Sequence, residues 1–95
     1  MRYALFIEGA PSSGAALRAS QFCTACLQQG HTVALIFLYA DGVYEAPTLP
    51  TIIPIYRCSA SAIERGVPES PQLPFAGLGL WTFEASQADK VIFFK

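Results

Sequence analysis

Charged side chains are scarce in this chain of 95 residues. Asp, Glu, Lys and Arg together make up 14% of it, and the formal net charge is −1. The Lys and Arg residues form no cluster along the sequence. Because phosphate contacts need clustered cations, this distribution argues against direct binding of nucleic acid.

Long apolar runs are also missing. No run approaches the roughly 20 residues that a membrane-spanning helix needs. Met1 and Arg2, followed by the apolar residues 3–7, look somewhat like the start of a signal peptide, but Glu8 ends that run too early. We therefore expect a cytoplasmic protein without membrane contact.

Cysteine is present in an odd number, which does not suggest a disulfide scaffold and fits a reducing compartment. Cys23 and Cys26 share one predicted helix face with Ala19 and Phe22, which indicates core packing. A thioredoxin-like redox pair would need its first cysteine near a helix N-terminus, and this pair lies late in the helix. Only His31 is near enough in sequence to add a zinc ligand, so we expect no metal site.

Phosphate-loop motifs are absent as well. The loop 9–14 follows the first predicted strand, the position at which nucleotide-binding proteins hold phosphate, but it has neither the glycine spacing nor the lysine of those motifs. We predict a plain turn in which Ser12 and Ser13 are candidate N-caps. No cofactor is expected.

What the chain does contain is an alternation of apolar strands and helical stretches, which predicts a single α/β domain over residues 1–95. We expect a three-layer α/β/α, flavodoxin-like arrangement around a mainly parallel sheet of four to five strands. The predicted strands are 2–8, 32–39, 52–57 and 90–94, with a short one near 73–76. The predicted helices are 15–29, closed by Gly30, and 77–88, with a shorter helix that starts after Cys58 and ends at Gly66.

The stretch 52–67 organises the rest of the chain. It begins as an apolar, β-branched run and changes at Cys58 to small, helix-compatible residues. Cys58 should therefore lie where a strand meets a helix N-terminus, whose partial positive charge favours a thiolate. Arg57 adds positive charge if its side chain faces the same way. The alternative is a buried structural cysteine, since a free cysteine behaves as a small hydrophobe.

Residues 58–67, Cys-Ser-Ala-Ser-Ala-Ile-Glu-Arg-Gly-Val, resemble the cysteine motif of the DsrE/TusD family of sulfur-relay proteins. The Gly-Val-Tyr turn at 42–44 resembles the turn after that family's second strand, and residues 1–9 resemble its first strand. The likeness implies that Cys58 carries a persulfide. It implies as partners related DsrE-family subunits, in a homo- or hetero-oligomer, and small sulfur-carrier proteins. It also implies a pathway, either 2-thiouridine formation in tRNA or sulfur oxidation.

Two features depart from the family pattern. The segment 41–50 is short, carries Pro47 and Pro50, and shows no helical pattern, whereas the family has a longer segment with a helix there. Either this segment is shortened or residues are omitted, in which case a Cα–Cα step between Glu45 and Thr51 should far exceed the roughly 3.8 Å of a bonded pair. Pro54 is the second departure, because proline is disfavoured inside a central strand.

Three functions therefore remain open: a sulfur carrier acting through Cys58, a non-catalytic subunit of a DsrE-type complex, and a small nucleotide or flavin binder. Composition adds an expectation about assembly. Hydrophobic residues make up 53% of the chain, and one small core cannot easily hold Tyr44, Trp81 and Phe83 together. We expect an oligomer in which one of Trp81 and Phe83 lies at an interface or a pocket mouth.

Overall fold

The computed structural model describes residues 1–45 and 52–95. The Cα step expected between Glu45 and Thr51 lies outside the described residues. The strands are β1 (Arg2–Ile7), β2 (Thr32–Leu38), β3 (Ile55–Cys58), β4 (Phe75–Ala76) and β5 (Lys90–Phe94). The helices are α1 (Ala15–Gln28), α2 (Ser59–Glu64) and α3 (Leu78–Gln87), and 3₁₀ turns cover Pro11–Ser13 and Ala40–Tyr44.

The strands form one sheet in the order β4-β3-β2-β1-β5, and every pair of neighbours is parallel. The predicted fold class is therefore confirmed. In parallel sheets the carboxyl ends of all strands meet at one edge, where ligands and chemistry collect. At this edge lie the Pro11–Ser13 turn, the Ala40–Tyr44 turn and the N-termini of α2 and α3.

Side chains alternate between two faces of the sheet. On what we call the α1 face, Leu5 and Ile7 of β1 pack with buried residues of α1 and α2. On the α3 face, Ala4 and Phe6 of the same strand pack with Trp81 of α3. Helices thus cover both faces, as a buried parallel sheet requires, and two separate apolar clusters stabilise the two faces.

Strand β3 differs in its bounds from the prediction of 52–57. It begins at Ile55 because Pro54 has no N–H to give to the ladder. The Pro54 carbonyl still accepts a hydrogen bond from Ile36 N, at 2.9 Å. Its far end includes Cys58, one residue beyond the prediction. The short strand near 73–76 is present as β4.

Both predicted glycine caps are confirmed. Gly30 and Gly66 take the left-handed conformation, with φ of 78° and 70°. At both glycines a Schellman pair of hydrogen bonds closes the C-terminus of the helix. For α2 these bonds run from Gly66 N to Ile63 O and from Val67 N to Ala62 O. Helix α1 begins at Ala15, as predicted, but the candidate N-caps Ser12 and Ser13 were wrong, because Gly14 is the N-cap and the Ser13 hydroxyl instead accepts a hydrogen bond from Ala15 N.

The two aromatic side chains of α3, Trp81 and Phe83, lie in different environments, as expected. Trp81 is buried, and its ring centroid lies 4.9 Å from that of Phe6 and 6.0 Å from that of Phe37. Phe83 is exposed. Among the described residues, no helix combines the length and apolar character needed to cross a bilayer.

Candidate functional site

Cys58 is both the last residue of β3 and the N-cap of α2. The strand-to-helix change in the sequence predicts this position. Its side chain makes no capping hydrogen bond, so it leaves the free N–H groups of the first turn of α2 without a side-chain partner from this residue. The thiol therefore lies at the carboxyl edge of the sheet, beside a helix N-terminus.

The Cys58 side chain is nearly closed off from solvent, with 2% of the residue exposed. It belongs to the α3-face cluster with Phe37 and Trp81, and its backbone pairs with Ala76 of β4. Tyr39 directly follows Leu38, the last residue of β2, which pairs with Arg57, and it packs against the same cluster. The access that a reactive thiol needs must therefore come from local movement of this covering.

Arg57 does not stand beside the Cys58 thiol. Successive strand residues point to opposite faces, and the guanidinium lies on the other side of the sheet. There it donates hydrogen bonds to three main-chain oxygens: Val43 at 2.9 Å, Glu45 at 3.2 Å and Pro68 at 3.2 Å. The residue is buried, and burial lowers the pKa of its guanidinium, which nevertheless keeps its charge. Arg57 ties two loops to β3 rather than adding charge at the thiol.

The segment 40–45 after β2 is held from the same side by two further residues of the α2 region. Ser61 Oγ accepts a hydrogen bond from Ala40 N at 3.1 Å. Arg65 Nε pairs with Asp41 Oδ1 at 3.0 Å. The three holding residues, at positions 57, 61 and 65, are spaced by four. We call Arg57, Ser61 and Arg65 the clamp.

Close packing explains the Gly-Val-Tyr turn within that segment. A Cβ on Gly42 would overlap the main-chain oxygen of Ile7 and lie 3.0 Å from its carbonyl carbon. Val43 is fully buried, whereas Tyr44 is 49% exposed. The turn is thus anchored on its own domain through Val43, and its tyrosine faces outward.

Cys23 and Cys26 lie on the buried stripe of α1, as predicted, and on the face of the sheet opposite Cys58. Burial, together with the neighbouring Cys26, raises the pKa of Cys23 to about 11. Burial also raises the pKa of Cys26. Since the thiolate is the nucleophile, both thiols should be inert near neutral pH. The described residues contain no group of three or more His, Cys, Asp or Glu side chains placed to hold a metal ion.

The sequence pattern predicts Cys58 as a candidate site residue but gives no prediction of the clamp. The contacts of the clamp join residues 11 to 24 positions apart, and local patterns carry no such information. The one signal in the sequence was a charged residue, Arg57, inside an apolar strand of a chain with few charges. Because an arginine is rarely buried unless its donors are paired, an arginine in such a strand indicates acceptors nearby in the fold.

Comparison with known proteins gives the following. No family model matches the chain. The protein named Sulfurtransferase TusD of Enterobacter sp. (strain 638) is 31% identical over 99 aligned positions, which cover 82% of this chain and 77% of that protein. Sulfurtransferase TusD of Salmonella arizonae is 30% identical, with the same coverage of 82% and 77%. A shorter alignment with Sulfurtransferase TusD of Salmonella newport is 44% identical over 50 residues and covers 52% of this chain but only 39% of that relative.

Among solved structures, the crystal structure of the YchN protein from E. coli superposes with a TM-score of 0.78. The superposition covers 99% of this chain and 100% of the YchN chain, at 19% sequence identity. At that identity the likeness concerns the fold alone.

Proposed function

The chain belongs to the DsrE/TusD-like sulfurtransferase family, and on that premise we propose that it is a sulfur-relay protein in which Cys58 carries the sulfur. The observation that supports this most is the position of Cys58 at the carboxyl edge of the sheet, as the N-cap of α2. The other two thiols are buried on the opposite face, with their pKa values raised. Of the three cysteines, Cys58 is the one whose place suits exchange with a partner.

The proposed step is a thiol exchange. The Cys58 thiolate attacks the terminal sulfur of a donor persulfide, forming a new S–S bond as the donor's S–S bond breaks. The donor leaves as a thiolate, which takes a proton from solvent, and Cys58 becomes a persulfide. An acceptor thiolate then attacks the terminal sulfur and regenerates the Cys58 thiolate. Neither step needs an external oxidant or reductant. The rate of each depends on the fraction of the attacking thiol that is ionised and on access to the sulfur that is attacked.

Partners follow from the same proposal. The donor and the acceptor are small sulfur-carrier proteins, and related DsrE-family subunits complete the assembly. Exposed apolar side chains on separate elements, among them Tyr44, Leu78 and Phe93, supply surface for such subunits. The sulfur is destined either for 2-thiouridine in tRNA or for sulfur oxidation.

The test is the intact mass of the protein after incubation with inorganic polysulfide. We expect the mass of one sulfur atom to be added to the wild type and to a Cys23→Ala/Cys26→Ala variant shown to be folded. We expect no addition to Cys58→Ser. Removal of the added sulfur by a small thiol should restore the original mass.

One observation favours a second function, a non-catalytic subunit of a DsrE-type complex: Cys58 is only 2% exposed. In that case Cys58→Ser would retain assembly with related subunits and the wild type would take up no sulfur at Cys58. Sulfur uptake that is equal in wild type and Cys58→Ser would also reject the carrier role of this residue.

A further inference from the structure

We propose that Arg57 is a positioning residue for Cys58: it holds the segment 40–45 so that Tyr39 stays packed in the α3-face cluster that covers the thiol, and it thereby limits access to Cys58. This inference rests on the proposed role of Cys58 for its functional meaning. Its structural content, control of access to one thiol, is separate and can be tested alone.

The first step is that the Arg57 contacts are made by a buried cation to main-chain oxygens. Its donors reach Val43 O, Glu45 O and Pro68 O, at 2.9, 3.2 and 3.2 Å. Among the described residues, no carboxylate lies within ion-pair distance of it. A buried charge is tolerated only when its geometry satisfies the donors, so Arg57 fixes where these two loops lie relative to β3.

The second step is that the held segment is constrained along its length. Ala40, a non-glycine residue, has a φ of 50°, which is a sparsely populated conformation that persists only where the surroundings enforce it. Its N–H donates to Ser61 Oγ, and Asp41 pairs with Arg65. The clamp therefore holds both ends of the segment, with Arg57 at the buried end.

The third step connects the segment to the thiol. Tyr39 directly precedes Ala40, and its N–H donates to Ile7 O at 2.9 Å. It directly follows the end of β2, one residue after the Leu38–Arg57 pair, so the register places it level with Cys58. It packs on the cluster that contains Cys58, with its ring centroid 5.1 Å from that of Phe6. Loss of the Arg57 bonds would therefore loosen the segment that follows Tyr39, a residue that shares the α3-face cluster with Cys58, although Arg57 itself is on the α1 face.

Arg57 could act in two ways, through the planar arrangement of its N–H donors or through its positive charge alone. Arginine presents several N–H donors in a rigid plane, whereas lysine is a point charge on a flexible stem. Lysine at position 57 cannot reach three oxygens on two loops at once. If Arg57 acted through its charge, Arg57→Lys would leave access to Cys58 as in wild type. If it acts through its planar set of hydrogen bonds, Arg57→Lys should raise access to Cys58 as much as Arg57→Met does.

The experiment measures iodoacetamide alkylation of each cysteine by peptide mass spectrometry, at neutral pH and without denaturant. We expect Arg57→Lys and Arg57→Met to raise the Cys58 rate by about tenfold, which corresponds to about 1.4 kcal/mol in the free energy of local opening. The rates at Cys23 and Cys26 should stay as in wild type. The matched control is Arg2→Met, which removes an arginine from the opposite end of the sheet, where it pairs with Glu84, and should change none of the three rates.

Two results would overturn the inference. One is an unchanged Cys58 rate in both Arg57 variants. The other is a parallel rise at all three cysteines, which would mean that Arg57 contributes only to global stability. Sulfur uptake from polysulfide is measured on the same variants as a separate arm. If the wild type takes up no sulfur while Cys58 alkylation responds selectively to Arg57, the carrier function fails and the positioning inference stands.

Discussion

Replacement of Gly42 by alanine should destabilise the protein, because the Gly-Val-Tyr turn approaches β1 more closely than any side chain allows. An added Cβ would overlap Ile7 O and lie 3.0 Å from the carbonyl carbon. Both atoms belong to the main chain of a central strand, so the turn itself must move. Ile7 O also accepts the Tyr39 hydrogen bond, which resists that movement.

The size of the effect follows from two contributions. Overpacking of a well-packed site costs about 1–3 kcal/mol. Displacement of the turn also stretches the Arg57 bonds to Val43 O and Glu45 O. Bonds to a charged donor contribute about 1.5–3 kcal/mol each, but neighbouring effects do not add, so we expect a total loss of about 2–4 kcal/mol. For a domain of this size that lowers Tm by about 10–25 °C.

Thermal unfolding followed by circular dichroism measures this loss, and Gly79→Ala provides the matched control. Gly79 lies within α3, where an added Cβ meets nothing within 4 Å. There alanine should stabilise the protein by about 0.5–1 kcal/mol, because glycine is a poor helix former. The same substitution thus has opposite signs at the two sites. A Gly42→Ala variant within about 0.5 kcal/mol of wild type would show that the turn moves freely and would refute the argument.

Two further predictions concern buried side chains. Burial raises the pKa of Glu45, because the buried site favours the neutral carboxyl. The stability that the neutral carboxyl contributes is therefore complete below the unfolded pKa of about 4.3 and is lost as pH rises through the folded pKa. Glu45→Gln should therefore be more stable than wild type at pH 7, and urea unfolding at about pH 4 should show the two nearly equal; a constant difference at both pH values would refute the assignment. Trp81→Ala should lower the free energy of unfolding by about 3–5 kcal/mol, because it leaves a cavity in the α3-face cluster. Phe83→Ala, at an exposed site, should change it by about 0.5 kcal/mol or less. Equal losses in urea unfolding would contradict the burial pattern.

The parts of this structure that sequence alone predicted are those that local signals determine. Hydrophobic patterning located the strands to within a few residues, and Gly30 and Gly66 marked helix ends because their positive φ favours glycine. The position of Cys58 at the β3–α2 junction follows from one change of pattern at one residue. Each of these depends on neighbours a few positions apart along the chain.

The parts that sequence did not predict depend on which segments meet. Sequence left open whether Cys58 is accessible or buried, because its near-complete burial arises from α3-face partners on other elements, such as Phe37 and Trp81. The start of β3 was placed too early because apolar content outweighed the missing N–H of Pro54. The role of Arg57 required knowing that the loops carrying Val43 and Pro68 lie over β3. None of this is visible before the sheet order is known.

The link between β2 and β3 supplies two of the three acceptors of the buried Arg57 guanidinium. Neighbouring parallel strands usually need a crossover of about a dozen or more residues, commonly a helix, but the described part of this link contains the Ala40–Tyr44 turn. In the described part, Val43 is buried in the α1-face cluster, and the buried Arg57 guanidinium donates to main-chain oxygens of the same segment. An apolar side chain would fill the space with little demand on geometry, whereas each buried N–H must meet an acceptor. Because Arg57 holds the segment 40–45 that follows Tyr39, we expect Arg57→Lys to open access to the Cys58 thiol while the sheet remains folded.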